Sequence, residues 1–259
     1  MPGTRCPVIR VMAAGRRAIV SGMPAGGLRE RLLAIVDATR DRERELLALC
    51  DDVDAAEPGR WTAKDHVAHL TWWRNHAADV VRAARLGIPV ERFDDIDAAN
   101  ERTYRIYRDR SADDVREDSV ISYLALAREI EAAAADDFRL PRPDRPEMET
   151  WQVVPPNLEG HLAEHLSQWY LEQGDENAAD SAQLWAFHLD ETFDSPKGRA
   201  AGAFNLACYY AKRGRADDAI SRLRDALALH PELVAWARAD SDLESIRDRT
   251  EVRTLLAVV

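Results

Sequence analysis

Apolar residues recur along most of this chain at the three- and four-residue spacing of a helix face. Leu28, Leu32, Ile35 and Val36, then Leu46, Leu47 and Cys50, predict a first helix, with Arg40-Asp-Arg-Glu-Arg-Glu45 as its solvated charged face. Pro58-Gly59 breaks the pattern, and Thr62 is placed to cap a second helix in which His66, His69, Trp73, Ala77, Val80 and Val81 share one arc. Gly87 and Pro89 end it. Ile96, Tyr104 and Tyr107 predict a third segment from about Asp94 to about Arg110. Ser111-Ala-Asp-Asp114 then reads as a capping-box variant opening a helix with Val115, Val120, Tyr123, Leu124, Ala127 and Ile130 at helical spacing. Residues 138–156 hold five prolines and no periodicity, which predicts a long ordered loop, and loops of that length inside a domain are usually functional. Residues 158–172 are helical again, Gly174-Asp-Glu-Asn is a stop, and the remainder is helical. No run alternates as a strand would, so the fold class is all-α, and four long helices suggest an up-and-down four-helix bundle.

The helix over 158–172 carries His161 and His165, four residues apart. On a helix they lie about 40° from each other and about 6 Å along the axis, so both imidazoles can close on one metal ion. Leu162, Leu166 and Trp169 share their side, whereas Glu164 points away. With 7 histidines in 259 residues, one such pair arises by accident roughly one time in six, so the pair alone is weak. A second helix that turns His66 and His69 inward makes it a constellation. On a helical wheel His66 lies nearer the centre of the apolar arc than His69. His76 lies about two turns on and is read as structural.

Composition narrows the partners. A net charge of -11 with a pI near 5.2 lacks the concentrated basic face that nucleic acid or an acidic membrane demands. A small molecule or a protein fits better. Cys6, Cys50 and Cys208 are scattered and odd in number, which suits a reducing compartment and makes the cytoplasm the expected location. No apolar run reaches the roughly 18 residues of a membrane span. Residues 1–27 carry Arg5, Arg10, Arg16 and Arg17 and no acid. They read as a disordered tail or as an over-extended start upstream of Met12 or Met23, since a targeting peptide's apolar segment is missing.

At Trp61-Thr-Ala-Lys-Asp65, leading to His69-Leu70, the chain resembles the second-helix motif of the DinB-like four-helix-bundle superfamily, which includes mycothiol-dependent maleylpyruvate isomerases and the ClbS/DfsB self-resistance proteins. His161-x-x-x-His165 with Gln168 is similar to that superfamily's last-helix motif, and Asn100-Glu-Arg-Thr-Tyr104 with Arg110-Ser-Ala-Asp-Asp114 resembles the ClbS/DfsB branch. The resemblance covers about residues 28–175. It implies that His69, His161 and His165 hold a divalent metal; the wheel alone would prefer His66, which is read here as a hydrogen-bonding neighbour, with an exchange of the two or a share for both as the alternative. Metal-free members that bind a ligand also exist. Residues 161–165 spell the inverted zinc-protease pattern H-x-x-E-H as well, but without the mixed strand and helix context that pattern needs.

Asn205-Leu206-Ala207, Tyr210, Gly214, Ala219, Leu223, Ala226 and Pro231 resemble a tetratricopeptide repeat over about 34 residues. One repeat cannot bury its own faces, so it is expected to stack on helices over 181–193 and 232–256. The chain is thus expected to divide into a tail (1–27), a DinB-like bundle (28–178) and a TPR-like region (179–259) that offers a protein-partner or homodimer surface. Three imidazoles leave a metal position open, as catalytic sites do, and nitrogen ligands suit zinc, nickel or iron. Such a metal could activate water or a thiolate. The resemblance implies a low-molecular-weight thiol cosubstrate and an enzyme that transfers, isomerises or hydrolyses. Trp72, Trp73, Trp151 and Trp169 are candidate pocket walls. The alternative is a non-catalytic small-molecule-binding or self-resistance protein, or a TPR-containing adaptor. A chain begun at Met23 is expected to keep the melting temperature of the full chain, because the removed segment has no periodic apolar face; a large drop is the contrary result.

Overall fold

The computed structural model describes residues 27–52 and 60–257; the expected tail, apart from Gly27, lies outside them. Within the described residues the protein is all-helical, and its only strand-like feature is an isolated bridge between Pro141 and Glu149. The helices are α1 (Leu28–Leu47), α2 (Ala63–Leu86), α3 (Ile96–Tyr107), α4 (Ala112–Ala132), α5 (Glu159–Glu172), α6 (Glu176–Asp190), α7 (Pro196–Lys212), α8 (Ala216–Leu229), α9 (Leu233–Ala239), α10 (Glu244–Arg247) and α11 (Thr250–Ala257). None of them is long and apolar enough to cross a membrane.

Local chemistry sets the ends that matter. Thr62 caps α2 through its hydroxyl on the Asp65 amide while the Asp65 carboxylate answers the Thr62 amide, a reciprocal box that stabilises the start of the helix by about 1 kcal/mol. Gly87, at φ +65°, ends the same helix in the left-handed region that other residues avoid. At α4 only half of the expected box forms: Ser111 caps the Asp114 amide. The C-terminal helix expected over 232–256 is instead broken into α9, a 3-10 turn, α10 and α11.

α1, α2, α4 and α5 pack on one another. Leu32, Ile35 and Val36 of α1 meet Ala77, Val80 and Val81 of α2 and Tyr123, Leu126 and Ile130 of α4. Toward the other end, Val67 and Leu70 of α2 meet Leu162, Ala163 and Leu166 of α5, and Ala182, Trp185 and Leu189 of α6 join them. α6 therefore sides with α5, while its Phe187 belongs to a separate cluster formed by α7 to α11. α7 and α8 form a helical hairpin turned at Gly214, with Ala207, Ala219, Leu223 and Ala226 fully buried at the contact.

The segment 138–156 is ordered. Arg142 forms a buried ion pair with Asp144, whose carboxylate also faces His76 at 3.6 Å, and Leu140 O accepts from both the amide and hydroxyl of Thr150. The segment ends in a 3-10 turn, Pro155–Asn157, that feeds directly into α5.

One expectation fails inside α1. Glu43 does not belong to the solvated face; it is completely buried and accepts from Arg74 at 2.7 Å, Tyr123 Oη at 2.7 Å and Ser119 Oγ at 2.5 Å. Arg74 also donates to Ser122 Oγ and lies 3.5 Å over the Tyr123 ring. This network rotates α4 so that Ser119 and Ser122 face inward, and Val120 and Leu124, which periodicity placed inside, are 50% and 58% exposed. Removing one member of a buried ion pair strands the other charge. Arg74→Met is therefore expected to lower stability by about 3–5 kcal/mol in urea unfolding, whereas Leu124→Ala changes it by about 0.5 kcal/mol or less. A loss under about 1 kcal/mol for Arg74→Met would contradict this account of the core.

Candidate metal centre

α2 and α5 face each other with two histidines apiece. His69 Nε2 lies 3.1 Å from His161 Nε2, and His165 Nε2 lies 3.2 Å from the same atom. These three nitrogens all fall within 4.8 Å of one another, so the group could hold a metal ion. His66 is not in that group. Its Nδ1 lies 2.7 Å from His165 Nδ1, on the far side of the His165 ring from the cluster. His76 is elsewhere, against Asp144.

Each neutral imidazole has one N–H and one lone pair. If His161 Nε2 is bare, two neighbours compete for its single lone pair; if it is protonated, one hydrogen must serve two acceptors. A cation answers all three lone pairs at once. With bonds of about 2.0–2.1 Å, two nitrogens on a shared ion lie no more than about 4.2 Å apart; the His69–His161 and His161–His165 separations fall within that limit, and all three donors lie within 4.8 Å. The residues therefore fit the metal that the sequence resemblance implies.

The neutral form is secured by burial. His66, His69 and His165 are 0%, 6% and 7% exposed. Desolvation lowers His66 and His69 to about 4, and burial together with neighbouring imidazoles lowers His161 and His165 well below the usual histidine range. When His165 turns its Nε2 lone pair to the cluster, its proton sits on Nδ1 and donates to His66 Nδ1, which fixes both tautomer and ring orientation. Nδ1 of His69 and of His161 are buried without a partner.

Aromatic rings close the site. Trp61, just before the α2 cap, lies 5.6 Å from His165 with the planes 9° apart, and its centroid is 5.0 Å from His69. Tyr104 of α3 stacks on Trp61 from outside. Of the four tryptophans expected as walls, Trp73 touches His69 and Trp169 touches His66; Trp72 sits with Phe93 and His76, and Trp151 packs on Phe193. Trp61 and Tyr104 were legible only as parts of motifs, and neither was expected beside the histidines. A cleft of about 10 Å³ leads to His69, lined by Trp61, Asp65, Ala68, Thr103, Tyr104 and Tyr107. Glu164 and Gln168 are exposed, so neither serves this site and the inverted-protease reading loses its base.

Two other polar clusters are separate. Cys208 with Asp240 and Asp242 also places three donor atoms within 4.8 Å, but Lys212 already pairs with Asp242, and burial followed by Asp240 pushes the thiol up. Glu159 and Asp190 are buried together, and burial raises both, Asp190 to about 7 and Glu159 well above its usual range.

No protein-family model, curated protein or solved structure was found to match this chain.

In the metal-free protein the histidines make a pH-dependent contribution of definite sign. Between about 4 and 6.5 the unfolded chain holds more protons on His66 and His69 than the folded one, so their share of stability is lost as pH falls through that window. Imidazole NMR signals of both residues are expected to stay at neutral-form positions from about pH 8 to about pH 5. Titration of either near 6.5 would contradict the buried, neutral cluster.

Proposed function

We propose that this chain is a divalent-metal-dependent enzyme of the DinB-like type, acting on a small molecule, with α1, α2, α4 and α5 as the four helices of its bundle. The observation that carries the reading is the convergence of three imidazole Nε2 atoms from two helices, with no acid among them, in a place where hydrogen bonding alone cannot satisfy all three. His69, His161 and His165 would hold the ion. Zinc, nickel and iron all suit such a set. When bound, the ion supplies Lewis acidity to a coordinated oxygen or sulfur group of a substrate, and three protein ligands leave a position for it.

The chain's own residues do the rest. His66 keeps His165 in the ligating tautomer, Trp61 shields the cluster from bulk water, and the cleft past Asp65, Thr103 and Tyr107 is the way in. A low-molecular-weight thiol fits the open position as a cosubstrate, which places transfer or isomerisation ahead of hydrolysis. The α7–α8 hairpin, which follows the tetratricopeptide pattern, serves as a surface for a protein partner or a second copy. Location in the cytoplasm accords with the unpaired cysteines, Cys50 and Cys208.

Metal analysis of the purified protein is expected to give about one divalent ion per chain. Replacing His69, His161 or His165 with Ala releases most of it. His66→Ala weakens binding by about 10–100-fold through loss of the His165 partner, and His76→Ala leaves the content unchanged. A protein without stoichiometric metal would be a non-catalytic binding or self-resistance protein instead.

A further inference from the structure

We propose that the outward face of α4 is the contact surface of a homodimer, in which two copies of the chain pair through this helix, antiparallel, about a twofold axis. Val120, Ile121 and Leu124 are 50%, 53% and 58% exposed. On a helix they share one arc of about 100° with Glu117 and Arg128. Both charged residues are exposed, so the stripe runs acid, three apolar side chains, base from its N-terminal to its C-terminal end.

Periodicity alone would turn such a stripe into the core. Glu43 claims the other side of the helix instead: Ser119 Oγ and Tyr123 Oη donate to its carboxylate, and Ser122 Oγ accepts from Arg74. The apolar stripe is left facing solvent, a patch on one helix of the kind that marks an interaction surface. Neighbouring charges on α4 are used within the chain, Asp113 by Arg116, Asp118 by Arg110 and Glu129 by Arg85, whereas Glu117 and Arg128 form no ion pair among the described residues.

Symmetry selects a second copy as the occupant. In an antiparallel pair two residues meet when they stand equally far on either side of the twofold axis. With the axis level with the Ser122–Tyr123 peptide, Ile121 meets Leu124 of the second copy, Val120 meets its half-buried Ala125, and Glu117 meets its Arg128, each contact occurring twice. An acid and a base set symmetrically about an apolar centre are matched by the same surface turned end for end. A parallel pair would put Glu117 against Glu117 and Arg128 against Arg128. The contact is weak, because Asp114 and Glu131 meet at the two ends of this register, each chain carries a net charge of -11, and one helix pair buries less than the roughly 1,200 Å² of a standard interface. A dissociation constant on the order of 10–100 µM is expected.

Sedimentation velocity of the full-length chain from about 5 to about 500 µM is expected to show a reversible equilibrium between monomer and dimer. Leu124→Asp gives a monomer throughout, with the helical circular dichroism of the parent because the side chain is exposed. Glu117→Arg and Arg128→Glu each weaken association by about tenfold or more. An equal mixture of those two variants associates about as tightly as the parent, since each copy supplies the charges that the other lacks. A chain that stays monomeric at about 500 µM, a dimer that survives Leu124→Asp, or a mixture no tighter than its components would overturn the interface. A monomer that dimerises only once residues 1–22 are removed would overturn it too, giving the face to that segment.

Discussion

Inside a helical protein water is excluded, so every polar atom that enters must find its partner among the side chains already there. The interior of this protein is arranged around that constraint. Glu43 and Arg74 meet it completely: the carboxylate takes donors from Arg74, Ser119 and Tyr123, and the guanidinium adds Ser122 and the Tyr123 ring. The cost of satisfying those two charges is visible on the outside, where α4 shows Val120, Ile121 and Leu124 to solvent. Glu159 and Asp190 do not meet it: both carboxylate oxygens of Glu159 are buried without a partner, and burial raises both groups. At the histidines it is not met either: His66 Nε2, His69 Nδ1 and His161 Nδ1 are buried without a partner, and the Nε2 atoms of His69 and His165 both turn to the one on His161, the arrangement that reads as a place for a cation.

The division of labour between rigid and yielding parts follows from the same packing. α2 and α5, which supply the histidines, are held by fully buried Val67, Leu70, Leu162 and Leu166, each contributing roughly 1.5–3 kcal/mol. α3 buries two small side chains. A site that must keep three nitrogens in register and still admit a ligand is well served by deep anchoring on one side and a lightly held helix on the other.

Much of this was legible in the chain itself. Apolar spacing located α1, α2, α4 and α5, the resemblance to a tetratricopeptide repeat located the α7–α8 pair, and Thr62, Gly87 and Gly174 marked ends that the backbone confirms. The inward turn of His161 and His165 followed from spacing, and the motif resemblance chose His69 where the helical wheel preferred His66, because one wheel does not contain the rotation of two helices about one another; the structure groups His69 with His161 and His165. Glu43 was unreadable because a charge inside a run of six charges looks solvated until its partners, 31 to 80 residues away, are placed beside it. Trp61 as a cover, and Tyr104 opposite it, depend on where α3 lands, and α3 has too short an apolar face for its sequence to say.

The most direct test is X-ray absorption at the metal edge of the zinc-loaded protein, because it reads the donor atoms themselves. The account predicts three nitrogen scatterers at about 2.0–2.1 Å with the outer-shell pattern of imidazole, and a low total coordination number. A shell of six oxygens, or a sulfur at about 2.3 Å, would place the metal somewhere other than among His69, His161 and His165 and would contradict it.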